Sequence, residues 1–171
     1  VVADMPFLSY QVSLAQAIAN AGRFIQEAGA GVVKIEGGVA RADTVRALVE
    51  TGIPVLGHIG LTPQSILAMG GYKVQGKSKA EARQLLHDAR AIEAAGAFAL
   101  VLECVPPALG RALTRAVRIP VIGIGAGPHC DGQILVTADL LGLFDAFTPK
   151  FAKRYAQVGA VMKKAFAHYK T

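Results

Sequence analysis

The sequence predicts a parallel α/β protein, a (β/α)8 TIM barrel, and three observations carry that prediction. Short β-branched runs alternate with longer alanine-rich helical patterns, as in repeated βα units. The runs are nearly continuously apolar, as strands covered on both faces should be. Each run also ends in an ionisable residue or a glycine, and in a parallel barrel such ends open on one face, where enzymes of this fold do their chemistry. With 171 residues, 53% of them hydrophobic, the chain has enough apolar surface for one folded domain and is no disordered segment.

The predicted strands are Val1 to Asp4, Val32 to Glu36, Pro54 to His58, Phe98 to Glu103 and Val121 to Gly125, with Leu140 to Phe144 as a weaker sixth. Helical patterns cover about Val12 to Ala28, Asp43 to Glu50, Lys79 to Ala95, Pro107 to Ala116 and Phe151 to Lys170. Gly52 and Gly96 fall where a helix must stop before the next strand. No linker or change of composition divides the chain, so residues 1–171 are expected to form a single domain.

An open doubly wound sheet is the competing architecture. It usually places a glycine-rich turn directly after its first strand, whereas Asp4 is followed by Met5-Pro6-Phe7. The barrel is therefore preferred. Eight strands typically need about 250 residues, so about two N-terminal βα units are expected to be missing, leaving a partial barrel from about the third strand to the C-terminal helix. The opening Val1-Val2-Ala3-Asp4, a strand already under way without a leader signature, is read in the same sense.

The formal charge of +6 is local. From Val1 to Thr148, 12 Lys and Arg balance 12 Asp and Glu, and the excess lies on Lys150, Lys153, Arg154, Lys163, Lys164 and Lys170. Without aromatic platforms or zinc-finger spacing, a solvated helix face explains it better than nucleic-acid binding. The longest uncharged apolar run, Ile119 to Gly127, is too short to span a bilayer. Cys104 and Cys130 make no disulfide framework, so a reducing compartment, the cytoplasm, is expected.

The strand ends supply the chemistry. Asp4, Lys34, Glu36, His58 and Glu103 close four successive strands, and Lys34 and Glu36, two apart, point to one side. Carboxylates gathered near one lysine suggest a hard, oxygen-ligated ion such as Mg²⁺. Glu103 is the best candidate for a general base, so proton abstraction beside a metal-polarised carbonyl is the chemistry implied. Blander readings stand beside these: a strand-end acid is often a cap, Lys34 and Glu36 could simply pair, and His58 could be a core histidine. The Gly123-Ile124-Gly125-Ala126-Gly127 turn could cradle a phosphate or merely be tight. Cys104 reads as a small hydrophobe rather than a nucleophile, and His129 and Asp131 as helix caps.

Several segments resemble ketopantoate hydroxymethyltransferases: Ala3 to Phe7 with Ser9-Tyr10, Val33 to Gly38, Gly57 to Ser65, Gly70 to Lys77, Leu102 to Pro106, Ile122 to Gly127 leading to Cys130-Asp131-Gly132-Gln133, and Pro149 to Lys153. The resemblance implies a barrel of the phosphoenolpyruvate/pyruvate type, a homo-oligomer (commonly a decamer), and Mg²⁺. It implies transfer of a hydroxymethyl group from 5,10-methylenetetrahydrofolate to 3-methyl-2-oxobutanoate, giving 2-dehydropantoate in pantothenate biosynthesis. By position it makes Asp4 a metal ligand that also touches the keto acid, Lys34 the partner of its carboxylate, Glu36 a second acidic metal contact and Glu103 the base. His58 falls in the substrate pocket. The family's further metal-binding aspartate and the serine after it have no counterpart in this sequence. The alternatives are a barrel lyase or mutase acting on another α-keto acid, and a remnant serving oligomerisation or nucleic-acid binding.

Overall fold

The computed structural model describes residues 1–144 and 147–170. Two compact units divide it, Val1–Gln133 and Ile134–Thr171. The first unit is a six-stranded, wholly parallel sheet whose spatial order is the chain order. Its strands are β1 (Val2–Asp4), β2 (Val32–Glu36), β3 (Val55–Gly60), β4 (Ala99–Glu103), β5 (Val121–Ile124) and β6 (Gly132–Gln133). The helices between them are α1 (Leu14–Gln26), α2 (Ala42–Glu50), the short α3 (Ile66–Met69), α4 (Lys79–Ala94) and α5 (Pro107–Ala116).

Sequential order is the informative feature. A doubly wound sheet reverses its order at a switch point, whereas right-handed crossovers that always step the same way put every helix on one face. The burial pattern agrees. Val33, Ile35, Val55, Ile59, Leu100, Leu102 and Val121 share one core cluster with Ala17 and Ala21 of α1, Val45 and Leu48 of α2, Leu85, Ala89 and Ile92 of α4, and Leu113 of α5. Alternation sends their neighbours to the opposite face, where Leu56, Ala99, Val101 and Ile124 form a smaller cluster with Val32 against it.

Local chemistry sets the helix boundaries. Ser13 caps α1 by accepting the Gln16 N–H, and Ser78 and Glu81 complete a reciprocal capping box at α4. Glycines end the turn after β5 for reasons of packing: a Cβ on Gly127, whose φ is +83°, would sit 2.6 Å from Pro107 Cβ. This favours the tight-turn reading of that segment.

The second unit corrects two expectations. Leu140 to Phe144 is not a strand: Thr137–Leu141 forms α6, which closes at Gly142 in the left-handed region. A short apolar run fits a helix as well as a buried strand, and the sixth strand lies instead at Gly132–Gln133. The last helix, α7, covers Val158–Tyr169 rather than starting at Phe151. The preceding residues are engaged otherwise, since Arg154 donates to the Phe144 carbonyl and the Thr148 hydroxyl, and the Tyr155 N–H donates to the Leu140 carbonyl.

Candidate active site

Strand register brings the five strand-end residues together. Asp4 pairs with Lys34, Glu36 with His58, and Gly60 with Glu103, so all five side chains leave the sheet on the face away from the helices. They form a continuous row. Lys34 Nζ lies 2.8 Å from Asp4 Oδ1 and 3.5 Å from Glu36 Oε1. It also stands 3.3 Å from His58 Nδ1. His58 Nδ1 is 3.6 Å from Glu36 Oε1, and its Nε2 is 3.1 Å from Glu103 Oε2. The Nε2 contact has ion-pair distance without hydrogen-bond alignment, leaving that nitrogen buried and short of an aligned partner.

Charges alternate along the row, and exposure grades from its centre to its ends. The His58 and Glu36 side chains are 4% and 3% exposed, Glu103 and Lys34 are 15% and 17%, and Asp4 is 54% exposed. The bland reading of His58 as a core histidine bonded to backbone does not describe it, because its ring faces two carboxylates. Burial by itself would push the imidazolium's pKa down, but the adjoining Glu103 and Glu36 carboxylates overcome that and raise it above the ordinary histidine value. Burial would likewise raise the Glu36 pKa, yet His58, the Gln64 N–H and Lys34 bring it below the usual carboxylate range.

Two residues that titration patterns did not single out complete the site. Tyr10 and Gln64 lie within segments that carried the resemblance, but nothing in their spacing marks them as functional. Gln64 donates its backbone N–H to Glu36 Oε2 at 2.9 Å, and the buried Tyr10 hydroxyl donates to Gln64 Oε1 at 2.7 Å. Burial pushes the Tyr10 phenol up to about 12.

The backbone around Glu103 is equally constrained. Gly60 has φ +90°, and a Cβ there would lie 2.2 Å from the Glu103 carbonyl oxygen. That carbonyl accepts the Leu61 N–H at 2.8 Å. Cys104, next along, adopts φ +52°, unusual for a residue with a Cβ, and burial raises its thiol pKa. Of the two loop residues expected to cap a helix, Asp131 instead accepts the Val121 N–H at 2.8 Å at the start of β5, and His129 contacts Arg111.

Among the described residues, no three His, Cys, Asp or Glu side chains are placed to hold one ion between them. Lys34 and His58 stand between the acids. The donor set still suits Mg²⁺, which commonly takes one or two carboxylates and completes its shell with water and substrate oxygens. Asp4 is half exposed at the end of the row, and Glu36 lies behind it.

A singly wound parallel α/β chain with an acid–base row at its strand ends is the class these features define. The chain belongs to the ketopantoate hydroxymethyltransferase family, whose sequence pattern it matches over residues 1–171. It is 59% identical over 169 residues to a 3-methyl-2-oxobutanoate hydroxymethyltransferase of Heliobacterium modesticaldum, covering 99% of this chain and 61% of that protein. The protein of the same description from Moorella thermoacetica is 58% identical over 170 residues, covering 99% and 63%. The chain thus spans a little over three fifths of the length of these curated relatives. Among solved structures, phosphonopyruvate hydrolase superposes with a TM-score of 0.57 at 13% identity, over 99% of this chain and 59% of that one. A putative lyase/mutase from Burkholderia cenocepacia gives 0.52 at 18% identity, over 99% and 58%. At such identities these two speak to the fold alone, and they agree with the parallel α/β assignment.

Proposed function

We propose that the chain is part of a 3-methyl-2-oxobutanoate hydroxymethyltransferase built on a (β/α)8 barrel of the phosphoenolpyruvate/pyruvate type, about two of whose βα units lie outside these residues. The reaction moves a hydroxymethyl group from 5,10-methylenetetrahydrofolate to 3-methyl-2-oxobutanoate. It gives 2-dehydropantoate for pantothenate and coenzyme A synthesis in a cytoplasmic homo-oligomer. The observation that carries the reading is the Asp4, Lys34, Glu36, His58, Glu103 row, which puts an anion-binding cation and a basic carboxylate within one continuous file.

The residues divide the work. Lys34 binds the carboxylate of the keto acid, its ammonium held in place by Asp4 and Glu36. Glu103 takes the C3 proton: the C–H bond breaks and its electron pair passes into the enolate, C3 then bonds to the one-carbon unit, and that carbon's two C–N bonds to the folate give way to this C–C bond and to a C–O bond from water, the folate nitrogens taking up the C3 proton and one proton of the water. His58, beside Glu103, orients the carboxylate, and the attraction between them weakens as the arriving proton neutralises Glu103. Asp4, with Glu36 behind it, would hold Mg²⁺, which when bound polarises the keto oxygen and so acidifies C3.

The test is Mg²⁺-dependent loss of C3 deuterium from labelled 3-methyl-2-oxobutanoate, measured on the full-length protein. Glu103→Gln should slow it by about 100- to 10,000-fold, the usual contribution of a general base. Undiminished exchange would remove Glu103 from that role. Complete turnover without any folate would move the assignment to a lyase or mutase.

A further inference from the structure

The ladder between β1 and β2 ends in an unusual way. A regular parallel pair runs Val2 to Val32, Ala3 to Val33 and Asp4 to Lys34, and the Met5 N–H still donates to the Lys34 carbonyl at 3.1 Å. In an undisturbed parallel ladder the next bond would run from the Glu36 N–H to the Met5 carbonyl. Neither group is used so. The Glu36 N–H donates to the Tyr10 hydroxyl at 3.1 Å, and the Met5 carbonyl accepts from Gln64 Nε2 at 2.8 Å. The missing rung has been replaced by a chain of three bonds: Glu36 N–H to Tyr10 Oη, Tyr10 O–H to Gln64 Oε1, and Gln64 Nε2–H to the Met5 carbonyl.

We propose that Tyr10 and Gln64 form a wedge that keeps the ends of β1 and β2 from zipping together and thereby sets the distance between the Asp4 and Glu36 carboxylates. Each wedge residue touches one side of the gap through backbone. Met5, the residue after Asp4, hangs from the Gln64 amide, while Glu36 is held at its own N–H by Tyr10 and at Oε2 by the Gln64 N–H. Zipping would pull Met5 toward Glu36 and turn Asp4 and Lys34 with it. Both wedge residues are positioning residues, since they act through Asp4 and Glu36 and have no reacting atom of their own. The inference rests on the proposed role of those carboxylates and adds the device that spaces them.

The wedge is tested with Tyr10→Phe, Gln64→Met and the double variant of the full-length protein, using two independent readouts. The first is hydrogen exchange at the Glu36 backbone amide, read by NMR. It should speed up in Tyr10→Phe, where its acceptor is gone and the Met5 carbonyl is still occupied. It should slow again in the double variant, where the rung can close. The second is Mg²⁺-dependent loss of C3 deuterium, in which kcat should fall by up to about 100-fold in Tyr10→Phe and stay low in the double variant, as misplaced reacting groups require. A merely structural role would lower the melting temperature and leave kcat of the folded fraction intact. Unchanged Glu36 exchange in Tyr10→Phe overturns the wedge, as does wild-type kcat in a folded variant with the rung closed. If the unsubstituted protein shows no C3 exchange, the functional reading fails by itself, and the Glu36 amide still decides whether the wedge exists.

Discussion

The two faces of the sheet are made from the same strands by alternation, yet they do different work. On the helix-covered face, Ile35, Leu100 and Leu102 are fully buried among apolar side chains from four helices. On the opposite face a small apolar patch around Leu56 and Val101 gives way, two residues further along each strand, to Lys34, Glu36, His58 and Glu103. The difference teaches that stability and chemistry are separable here by residue parity. Odd-numbered positions of β2 and β3 pack the core, and even-numbered ones build the site.

Substitutions test that separation. Leu102→Ala should destabilise the fold most, by about 3 to 5 kcal/mol, because it opens a cavity in a face that cannot collapse. Chemical denaturation measures it, and a loss below that of any inner-face change would break the comparison. His58→Ala removes the imidazolium from between two carboxylates, one of them 3% exposed, and should cost about 3 kcal/mol. The sign of its pH dependence follows from the direction of the shift. A histidine whose folded pKa is raised gives its full stabilisation below the unfolded value, about 6.5, and loses it as pH rises through the folded value. The penalty of His58→Ala should therefore shrink as the pH climbs above neutrality, and a penalty that grew would remove the ion-pair account.

Tyr10 makes a matching prediction at the alkaline end. Its phenol is displaced from about 10 in the unfolded chain to about 12 in the fold, so the native state resists ionisation there. Stability should fall between those values by about 2 to 3 kcal/mol, at roughly 1.4 kcal/mol per unit, and Tyr10→Phe should lack that component. Denaturation curves across this range, with phenolate absorbance as the second signal, decide it. The smallest effect is expected at Leu56→Ala on the inner face, about 2 kcal/mol, at the low end for such changes because its cluster holds few partners. Equal losses at Leu56 and Leu102 would show that the inner patch is as tightly packed as the outer core.

Much of this was readable in the amino-acid order. Val32–Glu36 and Pro107–Ala116 fall at the observed limits, because a short run rich in β-branched residues and a proline at a helix start are local signals. The five row residues were also legible, since each lies within the last three residues of its strand. What the order conceals is anything that depends on two distant segments meeting. Tyr10 and Gln64 are 54 residues apart, and no period links them. That His58 would face two acids rather than one needed the β3–β4 register. Leu140 to Phe144 was misread for the opposite reason: it is local, but five apolar residues do not distinguish a strand from a helical turn.

Gly60 has one further consequence. Backbone meets backbone at the junction of β3 and β4, and a single methyl group there would already overlap the Glu103 carbonyl. That junction has no slack to give. At the β1–β2 junction the gap is filled by a phenol and a carboxamide, groups that one-codon changes can shorten, lengthen or remove. Changes in the spacing of the strand ends are thus to be sought on the tyrosine side of the sheet, while the glycine side stays fixed.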